Sequence, residues 1–135
     1  MSVISHAAGY LLDTHTAILA LDTPEKLTVS ARNAVLSGTN FLSIVSYWEI
    51  MLKSMKGTLD VGDPRSWWFD ALDQLAATPL PLRPQHIAGV YALRPIHKDP
   101  FDRMLIAQAA AEGLALVTNN AEIAHYAAKT LRVVG

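Results

Sequence analysis

The sequence predicts an α/β domain: one central parallel sheet of about four to five strands, flanked by helices on both faces. Three observations carry this. Short runs that are apolar at every position alternate along the chain with segments of helical periodicity, as expected of strands covered above and below. Glycine, proline and capping residues punctuate the alternation at helix starts and stops. The 135 residues, 51% hydrophobic and 17% charged, are about one domain long and can bury a sizeable core.

Tyr10, Leu11 and Leu12 form the first strand, which stops at Asp13. From Thr14 the pattern turns helical until Asp22-Thr23-Pro24 breaks it. Ser30 is expected to cap a helix over residues 31–36 that Gly38 ends. Residues 41–44 read as a strand, and Ser46 as the cap of a helix reaching Lys56 and closed by Gly57. Asp63-Pro64 opens a helix carrying Trp67 and Trp68. Residues 80–82 suit an edge strand, because proline cannot donate to an inner ladder. A short helix follows over 85–93. Asp99-Pro100 starts the most strongly patterned helix, 101–112, which Gly113 closes. Residues 114–118 are the clearest strand, Asn120 caps a further helix, and 131–134 fit a last strand. Residues 1–9 read as a leader or frayed start, leaving 10–135 as the domain.

Composition excludes several function classes. Eleven Lys+Arg against twelve Asp+Glu give a net charge of −1, which rules out a strongly basic nucleic-acid sponge. The absence of cysteine removes disulfides, thiolate metal sites and cysteine nucleophiles, and suits a reducing cytoplasm. No apolar run approaches the roughly 20 residues of a membrane span. No GxGxxG or GxxxxGK[ST] loop is present.

Most acids fall in loops, caps or exposed helix faces, but a few occupy more telling positions. Asp13 follows a strand at the carboxyl edge of the sheet, where α/β domains build ligand sites; it also suits a helix cap. Glu49 shares a helical stripe with Val45, Trp48 and Leu52, and a charge among such residues must be paired, bind something or reach solvent. Asp102 lines up with Leu105, Ile106 and Ala109, although the helix dipole alone favours an acid there. Asp99 reads first as the cap of that helix. Asn120, beside Asn119, stands at a strand end like that of Asp13. If the sheet brings these edges together, carboxylates a few ångström apart would repel unless a cation sat among them. All-oxygen ligands suit Mg²⁺ or Mn²⁺, and such ions serve phosphodiester hydrolysis.

Four stretches in this order carry a family likeness: Leu11-Leu12-Asp13-Thr14-His15, Ser46-Tyr47-Trp48-Glu49-Ile50, His97-Lys98-Asp99-Pro100-Phe101-Asp102-Arg103-Met104-Leu105-Ile106-Ala107-Gln108-Ala109, and Leu116-Val117-Thr118-Asn119-Asn120. Together they resemble a PIN-domain protein of the VapC toxin type, over nearly the whole chain from Tyr10. The resemblance implies a metal-dependent endoribonuclease, the toxin of a type II toxin–antitoxin pair, usually a homodimer, with RNA as substrate and a cognate antitoxin as partner. It assigns Asp13, Glu49 and Asp102 as metal-holding acids, Asp99 as an assisting residue and Thr118 as a hydroxyl beside the site. Asn120 stands where the family usually has a fourth acid. It brings an amide oxygen but no charge, so the alternative is a catalytically weakened PIN scaffold that binds RNA or an antitoxin.

On this reading Asp13 and Asp102 hold Mg²⁺, while Glu49 orients a water or binds a second ion. Lys53, Lys56, Lys98 and Arg103 are candidates for gripping the RNA backbone, or are simply solvated. The five histidines show no metal-binding spacing, and His15 alone neighbours a proposed site residue. Trp67, Trp68 and Phe69 suit either an interface or helix packing.

Overall fold

The computed structural model describes residues 9–127 and 131–135. Residues 1–8 of the expected leader lie outside the described residues. Gly9 belongs to the fold: it is buried, its carbonyl accepts from Ala115 N–H at 3.1 Å, and a Cβ there would meet Leu114 and Phe41 at 2.9 Å.

The elements are β1 (Tyr10–Leu12), α1 (Thr14–Asp22), a 3₁₀ turn (Pro24–Lys26), α2 (Val29–Leu36), β2 (Asn40–Ser43), α3 (Ile44–Lys56), α4 (Pro64–Gln74), β3 (Ala77–Leu80), α5 (Pro84–Tyr91), α6 (Pro100–Glu112), β4 (Ala115–Val117), α7 (Ala121–Ala124) and β5 (Arg132–Val134). The five strands pair in parallel in the order β3-β2-β1-β4-β5. The α/β class and parallel sheet therefore match the expectation from sequence.

Two cores follow from the alternation of side chains across the sheet. Leu11 and Leu116 point to one face and pack with Val45, Leu105, Ile106 and Ile123. Leu12, Leu42 and Val117 point to the other and meet Ala17, Ala31, Trp68 and Ala71. Trp68 is buried and stacks on Tyr47 with ring centroids 4.8 Å apart, whereas Phe69 faces solvent. Trp68 is thus a packing residue.

Boundaries differ from the sequence reading where two caps compete. Thr28 rather than Ser30 caps α2, accepting from Ala31 N–H, so the helix starts two residues early. Ser43 rather than Ser46 caps α3, which places Ser46 inside the helix facing α1. The edge strand is 77–80 and carries its proline at Pro79, where the missing N–H can face outward.

Register decides where the site forms. Leu12 pairs with both Leu42 and Val117. The residues that follow, Asp13, Ser43 and Thr118, therefore stand side by side at the carboxyl edge, with α1 and α3 starting directly there.

Candidate metal centre

A cleft of about 300 Å³ opens at this edge, lined among others by Asp13, Thr14, Glu49, Lys53, Asp99, Asp102, Asn119 and Asn120. Segments as far apart as residues 13 and 120 thus converge. Three of these lining residues are helix N-caps. Asp13 Oδ1 accepts from Thr16 N–H at 2.8 Å, Asp99 Oδ1 from Phe101 and Asp102 N–H at 2.9 and 3.2 Å, and Asn120 Oδ1 from Glu122 N–H at 2.9 Å. Capping and ligation, which compete as readings of the sequence, are compatible for the two aspartates, because capping uses one carboxylate oxygen and leaves the other. Asn120 has no second oxygen to offer. Its single oxygen keeps a second lone pair but carries no full charge, so it is a weaker ligand for a cation than a carboxylate.

Glu49 is buried, with 4% of its surface exposed. Its neighbours explain how the charge survives. The Thr14 hydroxyl donates to Oε1 at 2.7 Å and also contacts the Ser46 hydroxyl at 2.9 Å, while Lys53 Nζ, one turn along α3, donates to Oε2 at 2.7 Å. The buried face of α3 consists of Val45, Ser46, Glu49 and Ile50. Trp48, expected on that stripe, turns outward and meets Phe101 edge-on. The hydrogen bond to Glu49 raises the Lys53 pKa; burial lowers it, but the charges of Glu49, Asp99 and Asp102 add to the rise.

Asp102 is half-buried. Burial raises its pKa, the hydrogen bond from His97 lowers it, and the charges of Asp99 and Glu49 raise it further. His97 Nε2 lies 2.7 Å from Asp102 Oδ2, and its Nδ1 contacts Glu122 Oε2. Burial lowers the His97 pKa, but its hydrogen bonds to Asp102 and Glu122 and their charges outweigh this and raise it. Both imidazole nitrogens face groups that only accept when ionised, a position that suits imidazolium.

The convergence is looser than a shared three-carboxylate shell. Among the described residues, the trio offering ligand atoms within 4.8 Å of one another is His97, Asp99 and Asp102, and it includes neither Asp13 nor Glu49. Even so, the donors suit a hard dication. Asp13, Asp99 and Asp102 each keep a carboxylate oxygen without a hydrogen bond among the described residues, and all three line one cleft. Mg²⁺ retains several waters and needs few direct carboxylates.

Other sequence candidates sit elsewhere. Thr118 is buried and its hydroxyl accepts from Asn120 N–H at 3.0 Å, so it shapes the turn. Arg103 is not a cleft residue. Its guanidinium donates to the carbonyls of Val90, Arg94 and His97 and to the Tyr126 hydroxyl, which leaves it poorly placed to grip a phosphate. Lys56 and Lys98 are exposed and line none of the cleft. His15 is an exposed lining residue. The residues that sequence reasoning passed over are His97, present in the motif but given no role, and Glu122, an acid in the first turn of the helix after Asn120.

The sequence matches the family model of the PIN domain over residues 10–129. The chain belongs to the PIN domain family. Solved structures share the fold. A chain of DNA-bound VapBC from Salmonella typhimurium superposes with a TM-score of 0.68 at 19% identity, covering 93% of this chain and 96% of that one. VapBC2 from Rickettsia felis, bound to a DNA fragment from its promoter, gives 0.64 at 18% identity, covering 92% and 96%. FitAcB from Neisseria gonorrhoeae gives 0.61 at 18% identity, covering 93% and 96%. No protein of curated function matches the sequence. The PIN family expected from the sequence and its fold are thereby borne out. Among the described residues of this PIN domain, no helix is long and apolar enough to cross a membrane.

Proposed function

We propose that this PIN domain is a Mg²⁺-dependent endoribonuclease, able to use Mn²⁺, and the toxin of a type II toxin–antitoxin pair. The observation that carries the reading is the gathering of Asp13, Glu49, Asp99 and Asp102 on one cleft at the carboxyl edge of a PIN fold. A bound dication would supply Lewis acidity and a water acidified enough to attack a phosphodiester. Asp13 and Asp102 would hold it through the oxygens their hydrogen bonds leave open, with Asp99 assisting. Glu49, fixed by Thr14 at Oε1, would accept a proton from the attacking water at Oε2 if Lys53 moved off that oxygen, and the leaving ribose oxygen would take its proton from solvent. Lys53 then reaches the RNA backbone as a counter-charge.

RNA as substrate and an antitoxin as partner rest on the family likeness and on the VapBC complexes whose fold is shared. A homodimer is proposed on the same footing. Exposed Ile44, Trp48 and Met55, on one face of α3, supply apolar surface for it.

The test is cleavage of single-stranded RNA by the purified chain. We expect cleavage with Mg²⁺ or Mn²⁺, its loss with chelator, and a fall of at least about a hundredfold in folded Asp13→Asn and Asp102→Asn variants, the scale expected when a preorganised charge-stabilising group is removed. Cleavage that survives both substitutions would overturn the site. A weakened scaffold is the second reading, favoured by the uncharged amide of Asn120, whose one oxygen also caps α7. Cleavage by Asn120→Asp but not by the natural chain would establish it.

A further inference from the structure

The α7 side of the cleft lacks a carboxylate at position 120, yet α7 reaches the site by another route. Glu122, in its first turn, contacts His97 Nδ1, and His97 Nε2 stands 2.7 Å from Asp102 Oδ2. We infer that His97, held from behind by Glu122, is a positioning residue for Asp102: it occupies Oδ2 and leaves Oδ1 as the oxygen that meets the cation. This rests on the metal centre proposed above.

An incidental surface ion pair would be loose, and this one is not. The His97 N–H donates to the Tyr126 hydroxyl at 2.8 Å, and the His97 carbonyl accepts from Arg103 Nη1 at 3.2 Å. Tyr126 is buried, accepts also from Ile96 N–H at 3.1 Å, and donates to the Arg94 carbonyl at 2.7 Å. The segment bearing His97 is thus fixed at both ends by side chains on α6 and just beyond α7. Only 15% of the imidazole side chain is exposed. With backbone and rotamer already ordered, holding Asp102 costs little further entropy. An acid–imidazole–acid line of this kind orients a ligating carboxylate from outside the metal's own shell, and partners of that sort commonly set affinity. It also gives the Asp102-Arg103 pair of the motif a division of labour. Asp102 faces the cleft, while Arg103 holds the loop that holds Asp102.

The experiment measures Mn²⁺ affinity by calorimetry and by electron paramagnetic resonance on the whole chain, with thermal melts confirming folding. His97→Ala should weaken Mn²⁺ binding about ten- to hundredfold. His97→Gln, whose amide can still donate to Oδ2, should recover affinity to within a few-fold of the natural chain. Glu122→Gln should lose a few-fold, and the double variant His97→Ala/Glu122→Gln should bind no worse than His97→Ala, because Glu122 acts through the imidazole. In RNA cleavage at saturating metal, the loss should fall on kcat and leave KM unchanged. Natural affinity in His97→Ala, no rescue by His97→Gln, or losses that multiply in the double variant would each overturn the relay. Asp102→Asn separates the two levels. If it weakens Mn²⁺ binding while His97→Ala does not, only the relay falls; if it leaves Mn²⁺ binding intact, the metal centre falls and the relay with it.

Discussion

Two histidines of this PIN domain face carboxylates, and they behave as opposites. His86, on α5, is fully buried. Arg83 N–H donates to its Nδ1 at 3.0 Å, so Nε2 carries the proton that meets Glu112 Oε2 at 2.7 Å. Gln108 lies 3.4 Å from the same Nδ1, donates to the Pro81 carbonyl, and accepts from the Ser43 hydroxyl at 2.5 Å. Donors and acceptors there match, and the network fastens α5, α6 and the end of β2 together. His97 instead sits between two acceptors, and one of them, Asp102, keeps an oxygen on the cleft. The same pair of residue types makes a closed latch in one place and an open bracket in the other. Burial alone does not mark a functional group; unspent bonding capacity does.

The sharpest way to break this contrast is His86→Ala. It leaves the part-buried Glu112 carboxylate and the Arg83 N–H without their imidazole partner and should cost about 1–3 kcal/mol of stability, read by denaturant melts, while Mn²⁺ affinity of the folded protein stays unchanged. A loss of metal affinity comparable to that of His97→Ala would erase the distinction. Asn120→Asp probes the open side. One carboxylate oxygen can keep the cap on α7 and the other face the cleft, as at Asp13. Mn²⁺ affinity should rise about three- to tenfold, on the order of 1 kcal/mol for one further nearby charge. Equal affinity would place Asn120 outside the ion's reach. The smallest effect concerns pH. Asp102 and His97 both bind protons more tightly folded than unfolded. Their contribution to metal-free stability is therefore full below the unfolded pKa values and is lost as pH rises through the raised ones. Thermal melts without metal should show that decline, upward from about pH 4 for Asp102 and through the neutral range for His97. Asp102→Asn should flatten it.

The strand–helix alternation, the caps at Asp63, Asp99 and Asn120, and the terminators Gly57 and Gly113 were legible in the sequence because each depends on local chemistry: apolar period, capping oxygens, and glycine at positive φ. Helix starts at Thr28 and Ser43 were not. Two hydroxyl residues within three positions are locally equivalent, and packing against the sheet chooses between them. At the site, the motif order placed Asp13, Glu49, Asp99 and Asp102 on one edge, but not which oxygens remained open. That depends on contacts across 35 residues, as between Thr14 and Glu49, or 25, as between His97 and Glu122. Arg103 shows the same limit: its charge suggested a phosphate grip, and its position gave it to backbone carbonyls instead.

Lys53 lies four residues after Glu49 on one helix, so the acid and its neutraliser arrive together whenever that single segment coils. The pocket need never be assembled bare: while the chain folds, and before any ion is met, part of its negative charge is already balanced from within. A protein built this way can wait in a metal-poor moment without its own edge pushing apart.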